Sequence, residues 1–254
     1  MAKQILIIPD SHWPDTDMRV FKGVLRFIQE VEPDEIVHIG DLMDYPQPSR
    51  WTKGTREEFE GNIFEDSEEA VKKFLTPLRD VYDGPIGVHE GNHDLRARAY
   101  GEKYAPALWP NEFFHMESLL HFEDMGINML PDFYNIAPGW LSTHGHLGGI
   151  RLNQNAGNTA LNAAKRIGKN IIMGHTHRAG ITSYTTGLAG ETNTLTGVEV
   201  GHIMDTKKVT YLKGATGNWQ KAFGMLTVEG QTVVPTLIPI SAGRIIWKDV
   251  TIKL

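Results

Sequence analysis

Five apolar runs in this chain break off into short blocks of Asp, Asn and His: "QILIIPDSH", "EIVHIGDLMD", "PIGVHEGNHD", "GWLSTHGH" and "NIIMGHTH". Burying one Ile or Leu side chain is worth about 1.5–3 kcal/mol, whereas an unpaired carboxylate or ring nitrogen beside such a run is costly. A chain built this way needs something at its strand ends that takes up lone pairs and negative charge. The sequence has 11 histidines and no cysteine, so disulfides and thiolate sites are excluded and any cation is held by nitrogen and oxygen.

Helices alternate with these runs. "QILIIPD" reads as a buried strand, and "DTDMRVFKGVLRFIQEVEPD" places Val20, Phe21, Val24, Leu25, Ile28 and Val31 three and four residues apart, with Pro33 beyond the end. "DEIVHIGD" is the next strand, so the opening is a strand-helix-strand unit of a parallel sheet with a right-handed crossover. Residues 57–79, "LRARAYGEKYAPALW" and "NQNAGNTALNAAKRIG" predict further helices, and Tyr45 to Arg56 reads as a loop. After Arg178, "HIMDTKKVTYL", "KAFGMLTVEG", "TVVPTLIPI" and "GRIIWKDVTI" predict antiparallel strands.

The expected fold class is α/β, in the sense of an α+β sandwich: two packed mixed β-sheets flanked by helices. One domain over residues 1–254 is expected, with a metal-site core in 1–178 and second-sheet strands in 179–254. Ligands of open α/β sheets bind beyond the carboxyl ends of the strands, where Asp10, His12, Asp41, Asn92, His93, Asp94, His144, His175 and His177 gather. The mixture of carboxylate, carboxamide and imidazole suits Mn²⁺, Fe²⁺ or Zn²⁺.

A formal charge of −6 argues against a wholly basic surface for nucleic acid. The opening "MAKQILIIPDSH" lacks the apolar stretch of a signal peptide, and no run approaches about 18 apolar residues, so a cytoplasmic protein without membrane contact is expected. The sequence says nothing about oligomeric state.

The blocks "DSH", "GDLMD", "GNHD", "HGH" and "GHTH", in that order, resemble the calcineurin-like metallophosphoesterase superfamily. The resemblance implies its four-layer αββα sandwich and two divalent metal ions, Mn²⁺ favoured and Fe²⁺, Zn²⁺, Ni²⁺ or Mg²⁺ as alternatives. It puts Asp10, His12, Asp41 and His177 on one ion and Asp41, Asn92, His144 and His175 on the other, with Asp41 bridging. It makes His93 the general acid toward the leaving oxygen, with Asp94 orienting its ring, and implies hydrolysis of a phosphate ester, foremost a phosphodiester, by hydroxide held at the dinuclear centre.

"GDLMD" before Pro, together with "GNHD", is also similar to the nuclease subunits of double-strand-break repair complexes and related phage proteins. DNA or RNA cleavage is therefore one alternative, opposed by the acidic balance and by the lack of a basic stripe with interleaved aromatics. Phosphomonoester hydrolysis is another, and a scaffold without turnover a third.

Around the blocks, Arg50, Arg96, Arg98, Arg151 and Arg178 either make forked hydrogen bonds to phosphate or are ordinary surface arginines. His146 either meets a phosphate or fills its loop. Trp51 and Trp219 offer stacking faces or core packing, and Asp44 reads as a turn former or helix cap. No role is assigned to His38, His89, His115, His121 or His202.

Overall fold

The structure is a computed structural model that describes residues 2–108, 112–209 and 216–254. Strands β1 (Lys3–Ile8), β2 (Glu35–His38), β3 (Ile86–Val88) and β4 (Ile127–Met129) run parallel in that order. A second sheet has the order β5-β6-β7-β9-β8, built from β5 (Tyr134–Ala137), β6 (Trp140–Thr143), β7 (Asn170–Met173), β8 (Ala179–Leu188) and β9 (Glu191–Val200). Strands β10 (Ala222–Glu229), β11 (Thr232–Ser241), β12 (Arg244–Trp247) and β13 (Val250–Lys253) return to the first sheet, where β10 pairs antiparallel with β1.

The alternation of buried side chains explains why the strands read as continuous apolar runs. Leu6 and Ile8 face a core shared with helix α1 (Met18–Val31), whereas Ile5 and Ile7 face the other sheet and meet Ile172, Val198 and Val200. On the far side of the second sheet, Ile171 and Met173 pack on Ala160, Ala163 and Ala164. Strands covered on both faces cannot alternate apolar with polar. The result is the expected αββα sandwich, two mixed sheets flanked by helices.

Helix α1 starts where Asp17 accepts hydrogen bonds from the backbone N–H groups of Arg19 and Val20, and it ends at Glu32 in the left-handed region. The charged run is helical as α2 (Ile63–Ala70), a π-helical turn (Val71–Leu75) and α3 (Thr76–Val81). Helix α4 (Arg96–Tyr104) stops short of Pro106, and Trp109, expected to belong to it, lies outside the described residues. The other α-helices among the described residues are α5 (Met116–Leu119) and α6 (Asn158–Ile167). No helix among the described residues is long and apolar enough to cross a membrane.

Two expectations need correction. Residues 179–254 do not form the second sheet as a block: β8 and β9 join it, whereas β10 to β13 extend the first. The cause is that β10 is apolar on both faces and docks beside β1 in the layered interior, which a hairpin at the sandwich edge would not need. "HIMDTKKVTYL" is not a strand over its described part. His202 bridges Asp10 and Lys221, Met204 bridges Thr16, and Asp205 to Lys208 turn, while the run's last residues, 210–212, lie outside the described residues.

Candidate metal centre and active site

The carboxyl ends of five parallel-paired strands meet at one edge of the sandwich. Asp10 and His12 follow β1, Asp41 follows β2, Asn92 and His93 follow β3, His144 follows β6, and His175 and His177 follow β7. Asp10, His12, Asp41 and His177 place ligand atoms within 4.8 Å of one another. His12 Nε2 lies 3.1 Å from His177 Nε2 and 3.5 Å from Asp41 Oδ2, and His177 Nε2 lies 3.3 Å from Asp10 Oδ2. A second group joins Asp41, His144 and His175. There His144 Nε2 stands 3.3 Å from Asp41 Oδ2 and 3.1 Å from Asn92 Oδ1. The seven residues that the sequence nominates as ligands thus fall into two adjoining groups that share Asp41.

The loops reach this arrangement through uncommon backbone. His12, Asp41, His175 and His177 have φ of 48°, 50°, 67° and 57°. A residue with a Cβ costs roughly 1–2 kcal/mol in that region, and such strain collects at functional sites. The glycines beside them have a steric cause. A Cβ on Gly91 would lie 2.1 Å from Asp41 Oδ1, and one on Gly174 would lie 2.3 Å from Asp10 Oδ1. This close approach lets backbone N–H groups hold the carboxylates: His175 N–H donates to Asp10 Oδ2 at 2.9 Å, and His93 N–H to Asp41 Oδ1 at 2.8 Å. Gly174→Ala is accordingly expected to displace Asp10 and weaken divalent-metal binding by about 10–100-fold, the range for loss of a group that orients a ligand. Titration calorimetry with Mn²⁺ checks this, and parental affinity would contradict it.

Asp10 and Asp41 are 0% and 1% exposed, and their charged neighbours are histidines rather than Lys or Arg. Burial raises the Asp41 carboxyl, but the rings of His144, His93 and His12 outweigh it and hold it well below the usual carboxylate range. Burial lowers His144, but Asp41 and then Asp10 carry it up to about 9. The carboxylates therefore draw positive charge into the cluster. His12 uses Nδ1 on Asp44 at 3.0 Å, so its Nε2 lone pair points at the facing ring nitrogen of His177. Buried carboxylates without a fixed cationic side chain, and a ring lone pair aimed inward, fit a divalent cation held by nitrogen and oxygen.

His93 stands beside this cluster, its ring edge-on to His12 at 4.4 Å. Its expected partner was Asp94, and that expectation is corrected. Asp94 accepts the backbone N–H groups of Met43 and Gly91, both at 2.8 Å, and staples the two motif loops together. Burial and the charge of Asp41 push its carboxyl up to about 7. The carboxylate on His93 is Asp44, whose Oδ1 lies 2.7 Å from His93 Nδ1 as well as 3.0 Å from His12 Nδ1. Asp44 is thus neither a turn former nor a helix cap. The cue was in "GDLMD", where a second carboxylate follows Asp41 by three residues.

Of the side chains nominated for substrate, Arg96 is nearest the chemistry. Its Nη1 donates to the Asp44 backbone oxygen at 2.6 Å, and its Nη2 lies 3.1 Å from His93 Nε2. His146 packs on His144 with ring centroids 5.3 Å apart, and both its nitrogens are buried without a hydrogen-bond partner. Arg178 is half-buried with an unpartnered Nε, and Arg50 lines an exposed cleft with Asn92 and His93. Arg98 is turned away to Glu90.

Two histidines without an assigned role support the site from behind. His38 accepts the Gly40 N–H at Nδ1 and meets Ser11 Oγ at Nε2, 2.8 Å away. His202 packs on His177, and Trp219 sits edge-on to both.

Known proteins bear on this geometry. The family model described as calcineurin-like phosphoesterase matches residues 3–187. The chain belongs to that family. As a family member it is a metal-dependent phosphoester hydrolase, and all five blocks of the metal centre lie within the matched span. The phosphoesterase is 54% identical over 245 residues to the "Gene 54 protein" of Mycobacterium phage D29, covering 96% of each chain. It is 53% identical over 245 residues to the protein of the same name from Mycobacterium phage L5, again covering 96% of each. Among solved structures it is similar to Vacuolar Protein Sorting 29 from Cryptosporidium parvum, with 13% identity, a TM-score of 0.48, and 100% of this chain and 99% of that chain covered.

Proposed function

We propose that this phosphoesterase hydrolyses phosphodiesters at a dinuclear centre, Mn²⁺ favoured, with Asp10, His12, Asp41 and His177 on one ion and Asp41, Asn92, His144 and His175 on the other. Two adjoining ligand groups that share Asp41 support the dinuclear reading. Two such ions, when bound, draw charge from the phosphoryl oxygens and make water a nucleophile near neutral pH.

The observation that carries the diester reading is the His93 ring, fixed by Asp44 at Nδ1 and bare of carboxylate at Nε2. His93 Nε2 accepts the Arg96 Nη2–H. When Arg96 turns onto a phosphate oxygen, the protonated ring, with Nδ1–H on Asp44, carries its mobile proton at Nε2 and delivers it to the departing oxygen as the P–O bond breaks. Alkoxide leaving groups need such an acid. Arg96, beside Nε2, suits a non-bridging phosphate oxygen through its planar fork of donors. Asp44 acts through His93 and His12 as a positioning residue.

The test compares a bis-aryl phosphodiester with an aryl phosphomonoester on Mn²⁺-loaded protein. Diester turnover is expected. Turnover of the monoester alone would transfer the reading to a phosphomonoesterase, and inertness toward both, with metal present, would end it.

A further inference from the structure

Sequence order hides the arrangement of one surface. Residues 50–53, in the loop after β2, and α4 fold against each other and enclose a cleft of about 480 Å³ that opens directly onto Asn92 and His93. Its cations are Arg50, Lys53, Arg96 and Lys103, and its aromatic side chains are Trp51, Tyr100 and Tyr104. The two kinds interleave. The Arg50 guanidinium lies 4.6 Å from the Trp51 ring centroid, Lys53 Nζ lies 4.0 Å from that of Tyr104, and Lys103 Nζ lies 5.1 Å from the same ring. Lys53 is paired with Glu58 and Arg96 with Asp44, whereas Arg50 and Lys103 make no ion pair among the described residues. On a chain of net charge −6, four cations at one cleft are a local concentration that bulk charge conceals.

We infer that this cleft binds single-stranded nucleic acid, with a base stacked on Trp51 and the backbone phosphates led past Arg50 and Lys103 to His93. The inference rests on the diesterase reading for the position of the scissile phosphate, not for the cleft itself. Alternating cations and aromatic faces form the pattern that grips single strands, because every base has a stacking face and every nucleotide a phosphate. A duplex is disfavoured because its bases are already stacked on each other. A free mononucleotide is disfavoured because small-ligand pockets enclose most of their ligand, whereas Trp51 and Tyr104 are 75% and 46% exposed, as a platform along a polymer is.

The test is fluorescence anisotropy of a labelled oligothymidylate with Mn²⁺-loaded protein, in a His93→Ala background so that turnover does not consume the probe. Trp51→Ala, a change at a largely exposed side chain, is expected to weaken binding about tenfold or more, as loss of one base stack does. Affinity should fall with salt, and Lys103→Ala should reduce the log–log slope by about 0.7, the contribution of one phosphate contact on a single strand. Parental affinity in both variants would overturn the inference, as would tighter binding of a duplex of equal length or equal binding of thymidine monophosphate. Aryl-diester turnover without oligonucleotide binding would remove this inference alone. Oligonucleotide binding that depends on Trp51, in a protein inert toward aryl diesters, would remove the diesterase reading and keep the cleft.

Discussion

Asp41→Asn is expected to lower kcat/KM toward any phosphoester the parent turns over by roughly a thousandfold or more. The substitution removes about 4 kcal/mol of transition-state stabilisation, in the range of several kcal/mol for metal-assisted phosphoryl chemistry. Asp41 is the carboxylate common to both ligand groups, with Oδ2 3.3 Å from His144 Nε2 and 3.5 Å from His12 Nε2. Asn keeps the volume and an oxygen able to accept the His93 N–H that now bonds Oδ1 at 2.8 Å, so the loops stay in register while the negative charge goes. Metal content by elemental analysis should fall alongside activity. A variant that retains both full metal and parental turnover would show that Asp41 is not shared between ions.

His93→Ala is expected to lower kcat by about 10²–10⁴-fold while leaving metal content at the parental level, since His93 is in neither group that contains Asp41. A fall in metal content would instead place an ion in the third candidate group, His12, Asp44 and His93. The decisive readout is leaving-group dependence. An aryl oxide departs with little help, so the loss should be smallest for activated aryl diesters and should grow as the leaving alcohol becomes less acidic. A loss of equal size across the series would mean that His93 positions substrate rather than donating a proton. Asp44→Asn should reproduce the trend at smaller amplitude, because it disturbs the ring's orientation and tautomer and leaves the imidazole in place.

Much of the candidate site was legible because each nominated ligand follows an apolar run. Ile171 and Ile172 before His175, or Ile5 to Ile8 before Asp10, are buried on both faces of a sheet, and such runs terminate at the carboxyl-end crevice. The partner of His93 was not legible. Asp94 is its neighbour in sequence, but a turn sends the Asp94 side chain back onto Met43 and Gly91, and Asp44 arrives from another strand end. The assignment of late strands to sheets was hidden for a similar reason. The pattern of β10 says that both faces are covered but not that β1 lies beside it, since antiparallel partners so distant in sequence share no turn. Arg50, Trp51 and Arg96 could be nominated singly, but the cleft they share with Tyr100, Lys103 and Tyr104 was not legible, because its aromatic and basic residues come from a loop and a helix that meet only in three dimensions.

Asp10, His12, Asp41 and Asn92 hang from the larger sheet, and His144, His175 and His177 from the smaller. An ion held by both sets, as proposed above, would rivet the two halves of the sandwich at that rim. Chelation should then unfasten the rim first, exposing the loops after β2 and β7 to proteases while the opposite end, which carries none of the nominated ligands, stays shut.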